Sequence, residues 1–150
     1  MTEIFIDGDA CPVKDEVYAV AARLGLAVVV VANQRMHVPS DLGVEMVVVE
    51  EGPDAADDWI AEEIRANDVV ITADIPLAAR CLEVGAFALG TNGREFTRDS
   101  IGGALATREI KASIRESGIV TGGPPPISAR DRSRFSNVLD RIVNQAMRDS

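Results

Sequence analysis

IFIDGDACPVK, residues 4–14, decides how this chain reads. A short apolar strand, Ile4–Ile6, ends in two carboxylates, Asp7 and Asp9, and a Cys11-Pro12 pair follows at once. Pro12 suits the first turn of a helix, where its missing N–H costs nothing. Val13, Val17, Val20, Ala21 and Leu24 then recur at helical spacing, and Gly25 stops the helix. Ala27–Ala32 is a continuous, mostly β-branched run, as expected of a strand buried on both faces. Strand, helix and buried strand make the repeating unit of a parallel sheet, so the two aspartates stand at the exit of a buried strand.

The rest of the chain continues the alternation. Residues 33–44 are polar, with Pro39 and Gly43, and read as a loop before a strand at Glu45–Glu50. Gly52-Pro53 breaks the chain, and Asp54 is a good N-cap for a helix through Ala66. A strand at Asp68–Ala73, a helix at Ile75–Val84 closed by Gly85, and a strand at Ala86–Leu89 follow. Two helices, Arg98–Ser117 and Ser128–Met147, are separated by the stiff stretch GIVTGGPPP. The order β-α-β-β-α-β-α-β predicts an α/β fold, a three-layer α/β/α arrangement around a mostly parallel sheet with two C-terminal helices. At 150 residues the chain reads as one domain, with a helical part from about residue 98 to 150.

Composition narrows the classes. The longest apolar run is strand-sized and far short of a membrane span. No basic segment leads into an apolar one at the N-terminus, so no signal peptide is expected. Cys11 and Cys81 lie 70 residues apart and read as reduced thiols of a cytoplasmic protein. The net charge is −9, which gives no long-range attraction to nucleic acid. The charge is uneven, however. From Ser128 onward five arginines against three acids give a surplus of +2, which leaves −11 on the first 127 residues.

Ligands of parallel α/β sheets bind at the carboxyl ends of the strands, near the topological switch point. Asp7 and Asp9 fall there, and so does Asp74, directly after a strand. Asp57 and Asp58 occupy the first turn of a helix, and on a helical wheel Asp57 borders the apolar stripe while Asp58 points further away. Carboxylates gathered in a cleft repel one another until protons or divalent cations neutralise them. Mg²⁺ and Mn²⁺ prefer such oxygen ligands, with Asp7 the central ligand and Asp74 the second. Each acid also has a plain structural use. Asp9 is equally placed to cap the helix at Pro12, Asp54 and Asp74 are natural N-caps, and the helix dipole favours Asp57 and Asp58. Asp7 is the hardest to explain this way, because the helix begins too far downstream.

Other residues invite two readings. His37 is the one histidine and reads as a loop residue, which leaves a histidine-based triad or zinc site little to build on. Cys11 lies near a helix N-terminus, although a buried, inert role fits it better. Lys14 either meets a phosphate or pairs with surface acids. Arg130, Arg132 and Arg134 either hold phosphates or line a solvated helix face.

FIDGDACPVKDEVY, DAADDWI, TADIPLAAR and GGPPPISARDRSRF closely resemble the YaiI/YqxD family of bacterial proteins, over nearly the whole chain. A more distant resemblance is to PIN-like nucleases, with the NYN and 5′-nuclease groups. Their TxDxxLA-like signature looks like Thr72–Ala78, and their ADDxI-like signature looks like Ala56–Ile60. This resemblance implies a PIN-like fold and a divalent-metal site built from Asp7, Asp57, Asp58 and Asp74. Many of those nucleases carry a further acid where this chain has Ile75-Pro76. Asp9 is the residue placed to substitute, and the departure favours one metal over two. Small PIN-like domains often pair, so a homodimer is implied as well.

Together these readings predict a metal-dependent phosphodiesterase, a ribonuclease. Asp7, Asp57 and Asp74 would hold Mg²⁺ or Mn²⁺, with Asp9 and Asp58 completing the site. Thr72 or Asn33 would orient the attacking water, and Lys14, Arg130, Arg132 and Arg134 would grip the RNA backbone. Two alternatives stand beside it. IFIDGDACP resembles the opening motif of haloacid-dehalogenase phosphatases, with Asp7 as nucleophile and Asp9 as acid. The −9 charge and the missing acid after Asp74 fit a non-enzymatic RNA- or protein-binding module with an idle acidic pocket.

Overall fold

The computed structural model describes residues 2–39, 43–50, 52, 54–103, 105–106 and 127–150. Its strands are β1 (Glu3–Asp7), β2 (Ala27–Ala32), β3 (Val44–Val48), β4 (Val69–Ile71), β5 (Phe87–Leu89) and β6 (Glu95–Phe96). Its helices are α1 (Lys14–Leu24), α2 (Ala55–Glu63), α3 (Ile75–Glu83) and α4 (Ala129–Asp149). The strands form a six-stranded sheet in the order β3-β2-β1-β4-β5-β6. Neighbours are parallel except β5 and β6.

Side-chain alternation along the strands builds two cores. Ile4, Ile6, Val28, Val30, Val69 and Ile71 face α1 and α4. Phe5, Val29, Val31, Val70 and Ala88 face α2 and α3. This is a three-layer α/β/α fold, as the alternation of elements predicts. The central strands are apolar on both faces because helices cover both. The chain leaves β1 towards β2 on one side and returns to β4 on the other. The topological switch point therefore lies between β1 and β4.

Several boundaries differ from the expected ones, each for a local reason. Pro12 precedes α1 rather than opening it. Cys11 stays extended (φ −119°, ψ 102°), as the residue before a proline prefers, and the helix begins only at Lys14. α2 ends at Glu63 rather than Ala66. Ile64 turns extended and buries its side chain, and the Asp68 carboxylate accepts hydrogen bonds from Arg65 N and Glu3 N at 2.9 and 3.0 Å. Asp54 holds the N-cap position of α2 but makes no side-chain cap bond. β6 was not anticipated. It pairs antiparallel with β5 through a tight turn in which Gly93 takes φ +86°, and two residues carry no readable period. Residues 98–103 and 105–106 are helical. The remainder of the helix expected over Arg98–Ser117 and the loop at 118–126 lie outside the described residues.

α4 shows how sequence becomes packing. Ser128 Oγ accepts from Asp131 N at 3.1 Å while Asp131 accepts from Ser128 N, a reciprocal capping box that starts the helix. Phe135, Leu139, Ile142, Val143 and Ala146 then recur on one face, and all are fully buried. Arg132 bonds Pro12 O at 2.9 Å and Asn67 bonds Asp149 O at 3.3 Å. α4 therefore starts beside the entrance to α1, at the carboxyl edge, and ends at the amino edge. No helix among the described residues is long and apolar enough to cross a membrane. Phe135→Ala should lower unfolding free energy by about 3–5 kcal/mol in urea titrations, the usual range for a buried Phe. A loss below about 1 kcal/mol would contradict this packing of α4.

Candidate functional site

The acids at the switch point are placed by backbone constraints. Gly8, between Asp7 and Asp9, passes so close to β2 that an added Cβ would lie 2.8 Å from Val30 Cγ1 and 3.1 Å from Val31 O. Only glycine fits there without a shift. The approach holds the exit of β1 against β2 and leaves Asp7 half-buried at the carboxyl edge. Its Oδ2 accepts from Thr72 Oγ1 at 3.0 Å. Thr72 is fully buried just beyond β4, and the same hydroxyl oxygen accepts from Asp74 N at 3.0 Å. Asp74 Oδ1 in turn caps α3 by accepting from Leu77 N at 2.9 Å. The capping role of Asp74 is thus real, and it coexists with a place in the cluster. Asp57, half-buried in the first turn of α2, shares a hydrogen bond with the Asp74 carboxyl.

The electrostatics follow from this crowding. Asp57 is pushed up to about 7, first by burial, then by repulsion from Asp74 and Asp7 and by its hydrogen bond to Asp74. Asp7 is also raised, chiefly by burial. The Thr72 hydrogen bond and the Lys14 charge oppose the rise, and Asp74 and Asp9 add to it. Among the described residues none of Asp7, Asp57 and Asp74 is in an ion pair. Their oxygen donors suit a hard cation. No group of three or more acids, histidines or cysteines among the described residues is arranged as a ready cage for a metal ion. Mg²⁺ needs less than a cage, because it keeps several waters and is commonly held through one or two carboxylates.

The other predicted residues separate from this cluster. Asp9 neither caps α1 nor joins the three acids. Its exposed carboxylate accepts from Asn33 N at 3.2 and 3.3 Å and ties the exits of β1 and β2. Asp58 is exposed and paired with Arg80 at 2.8 Å, on the outer side of α2. Thr72 cannot direct a water with its proton, because that single proton is given to Asp7. It orients the acids instead. Asn33 lends its backbone N–H to Asp9, and its Oδ1 is buried without a partner among the described residues. Lys14 Nζ bonds Cys11 O at 3.0 Å, at the rim beside Asp7. Arg132 is committed to Glu16 (3.0 Å) and Pro12 O, and Arg134 to Asp131 (3.0 Å), while Arg130 is exposed. Burial pushes the Cys11 thiol up and Cys81 up to about 12, so neither is an activated nucleophile. His37 is an exposed loop residue. Gly8 is the positional residue that sequence reasoning passed over, and its signal was a glycine held between two aspartates.

The raised Asp57 value has a sign. Between the ordinary 3.8 and about 7 the folded chain holds a proton that the unfolded chain has lost. Stability from this group therefore falls as pH rises across that window. In EDTA, Asp57→Asn should melt higher than the parent chain near pH 8, and the gain should shrink near pH 4.5. An equal shift at both pH values would contradict the crowding.

The family model described as "Uncharacterized BCR, YaiI/YqxD family" matches residues 5–145. A UPF0178 protein of Paramagnetospirillum magneticum is 57% identical over 148 residues, covering 99% of this chain and 98% of the relative. UPF0178 proteins of a Caulobacter strain and of Parvibaculum lavamentivorans are 55% and 56% identical over 148 residues, covering 99% of this chain and 98% and 97% of those relatives. With Asp7, Asp57, Asp74 and most of α4 inside the matched span, the chain belongs to the YaiI/YqxD family.

Proposed function

We propose that this protein is a phosphodiesterase that acts on RNA with the help of a divalent cation at the carboxyl edge. One observation carries the reading. Asp7, Asp57 and Asp74 come from three separate segments, meet at the switch point, and have no cationic side chain paired to them among the described residues. Folding gathers like charges there at a cost, and such sites are commonly functional.

The residues divide the work. Asp7 and Asp74 would hold Mg²⁺ or Mn²⁺, and Asp57 would join them once its proton leaves. The cation would supply Lewis acidity towards water and towards a phosphoryl oxygen. Thr72 keeps Asp7 and Asp74 in register. Lys14, at the rim, gives one positive charge for a phosphate. Arg130 stands at the start of α4 beside the same edge, free to meet a neighbouring phosphate, whereas Arg132 and Arg134 anchor α4. Asp9 is exposed and accepts from Asn33 N, which gives the haloacid-dehalogenase alternative, with Asp9 as the acid beside Asp7, less support. The absence of a ready three-ligand cage among the described residues favours the second reading, an RNA-binding module with an idle acidic pocket.

A fluorescent single-stranded RNA incubated with metal-stripped protein separates these readings. With Mn²⁺ added, the parent chain should cut it. Asp7→Asn and Asp74→Asn should each slow cutting by at least about 100-fold, the upper end of what loss of an outer partner to a metal ligand costs. Thr72→Val should slow it by about 10–100-fold. Equal cutting by the parent chain and Asp7→Asn would remove the acidic cluster from the reaction. Binding without cutting would leave the module reading.

A further inference from the structure

A second site lies on the sheet face that carries α2 and α3, towards the amino edge. α2 lies over β1 and β2. The connection from β2 to β3 packs on the opposite face through Met36 and Val38. This leaves a cleft of about 450 Å³ between α2 and the edge strand β3. Phe5, Val29 and Trp59 line its floor, and Glu3, Glu45 and Glu63 stand at its rim. Phe5, Val29 and Glu45 are register partners across three strands and so face the same side. The Trp59 ring lies 6.3 Å from Phe5 at 52°.

We propose that this cleft binds an aliphatic polyamine. Glu3, Glu45 and Glu63 are exposed, and none of their carboxylates has an ion pair or hydrogen bond among the described residues. Asp68 also lines the cleft, but its oxygens are taken by Glu3 N and Arg65 N. Arg65 supplies the one positive charge in the lining and leaves the rim net negative. Glu3 and Glu45 sit two strand spacings apart and two residues out of register, about 12 Å in all. One small ion cannot meet carboxylates so spread, whereas a chain of methylenes with ammonium groups along it can. Its methylenes would lie along the half-buried Trp59 side chain, and an ammonium over the ring face gains cation–π attraction. The volume suits one small ligand. A second copy of this chain would bring the same acidic rim to a two-fold contact, where like charges repel.

Trp59 is the one tryptophan of the chain, so its emission reports directly on the cleft. Spermidine titrated into the full chain at low ionic strength should change that emission saturably. The double variant Glu45→Gln/Glu63→Gln should weaken the apparent affinity by about tenfold, the worth of two exposed ion pairs. Glu62→Gln, exposed on the same helix and outside the lining, should leave it within about twofold. The proposal is overturned by an unchanged emission, by an equal response to magnesium chloride at matched ionic strength, or by wild-type affinity in the double variant. A response to a lysine-rich peptide without one to spermidine would overturn it in favour of a protein partner.

Discussion

The hydroxyl of Thr72 joins the parts of this molecule that meet at the switch point. It has one proton, which goes to Asp7 at the end of β1, and it accepts from the amide of Asp74 at the start of α3. Its own amide bonds Leu89 O on β5. Three strands and one helix are thus referenced to a single residue, and full burial keeps water from competing for its bonds. Gly8 performs the matching task on the other side of β1, where a side chain would strike Val30 and the β2 backbone. A site held by strand ends and a helix cap is more precise than one held by loops.

That precision is applied to groups that repel. Two half-buried aspartates share a hydrogen bond while a third, tied to the same threonine, stands near enough to disfavour ionisation of Asp57. A fold selected for stability alone would place a cation among them, as it does for Asp58 with Arg80 and for Asp140 with Arg23. Arg130 instead stands exposed at the start of α4, and Arg132 fastens that end of the helix to the β1 exit loop. An electronegative cleft with a basic border is the charge pattern that a cation and a phosphate together would satisfy.

The layered fold was legible because each face of each buried element has its own period. The run Ala27–Ala32 matched β2 at both ends, and the spacing of apolar residues in α1 named the face that packs. Asp7, Asp57 and Asp74 were legible from position alone, since strand ends and first helical turns converge at a switch point. The fates of Asp9, Asp58 and Thr72 were not. Each depends on a partner distant in sequence: Asn33 for Asp9, Arg80 for Asp58, Asp7 for Thr72. The same holds for Arg130, Arg132 and Arg134 in the first turns of α4, which look alike in sequence and are sorted by Glu16, Pro12 and Asp131. β6 was missed because two residues show no alternation.

The most direct test of this account is calorimetric titration of Mn²⁺ into metal-stripped protein, with Asp7→Asn beside the parent chain. The account predicts micromolar binding to the parent chain that is lost in the variant. Absence of binding to the parent chain, or equal binding to both, would contradict it and leave the three aspartates as caps and turn residues.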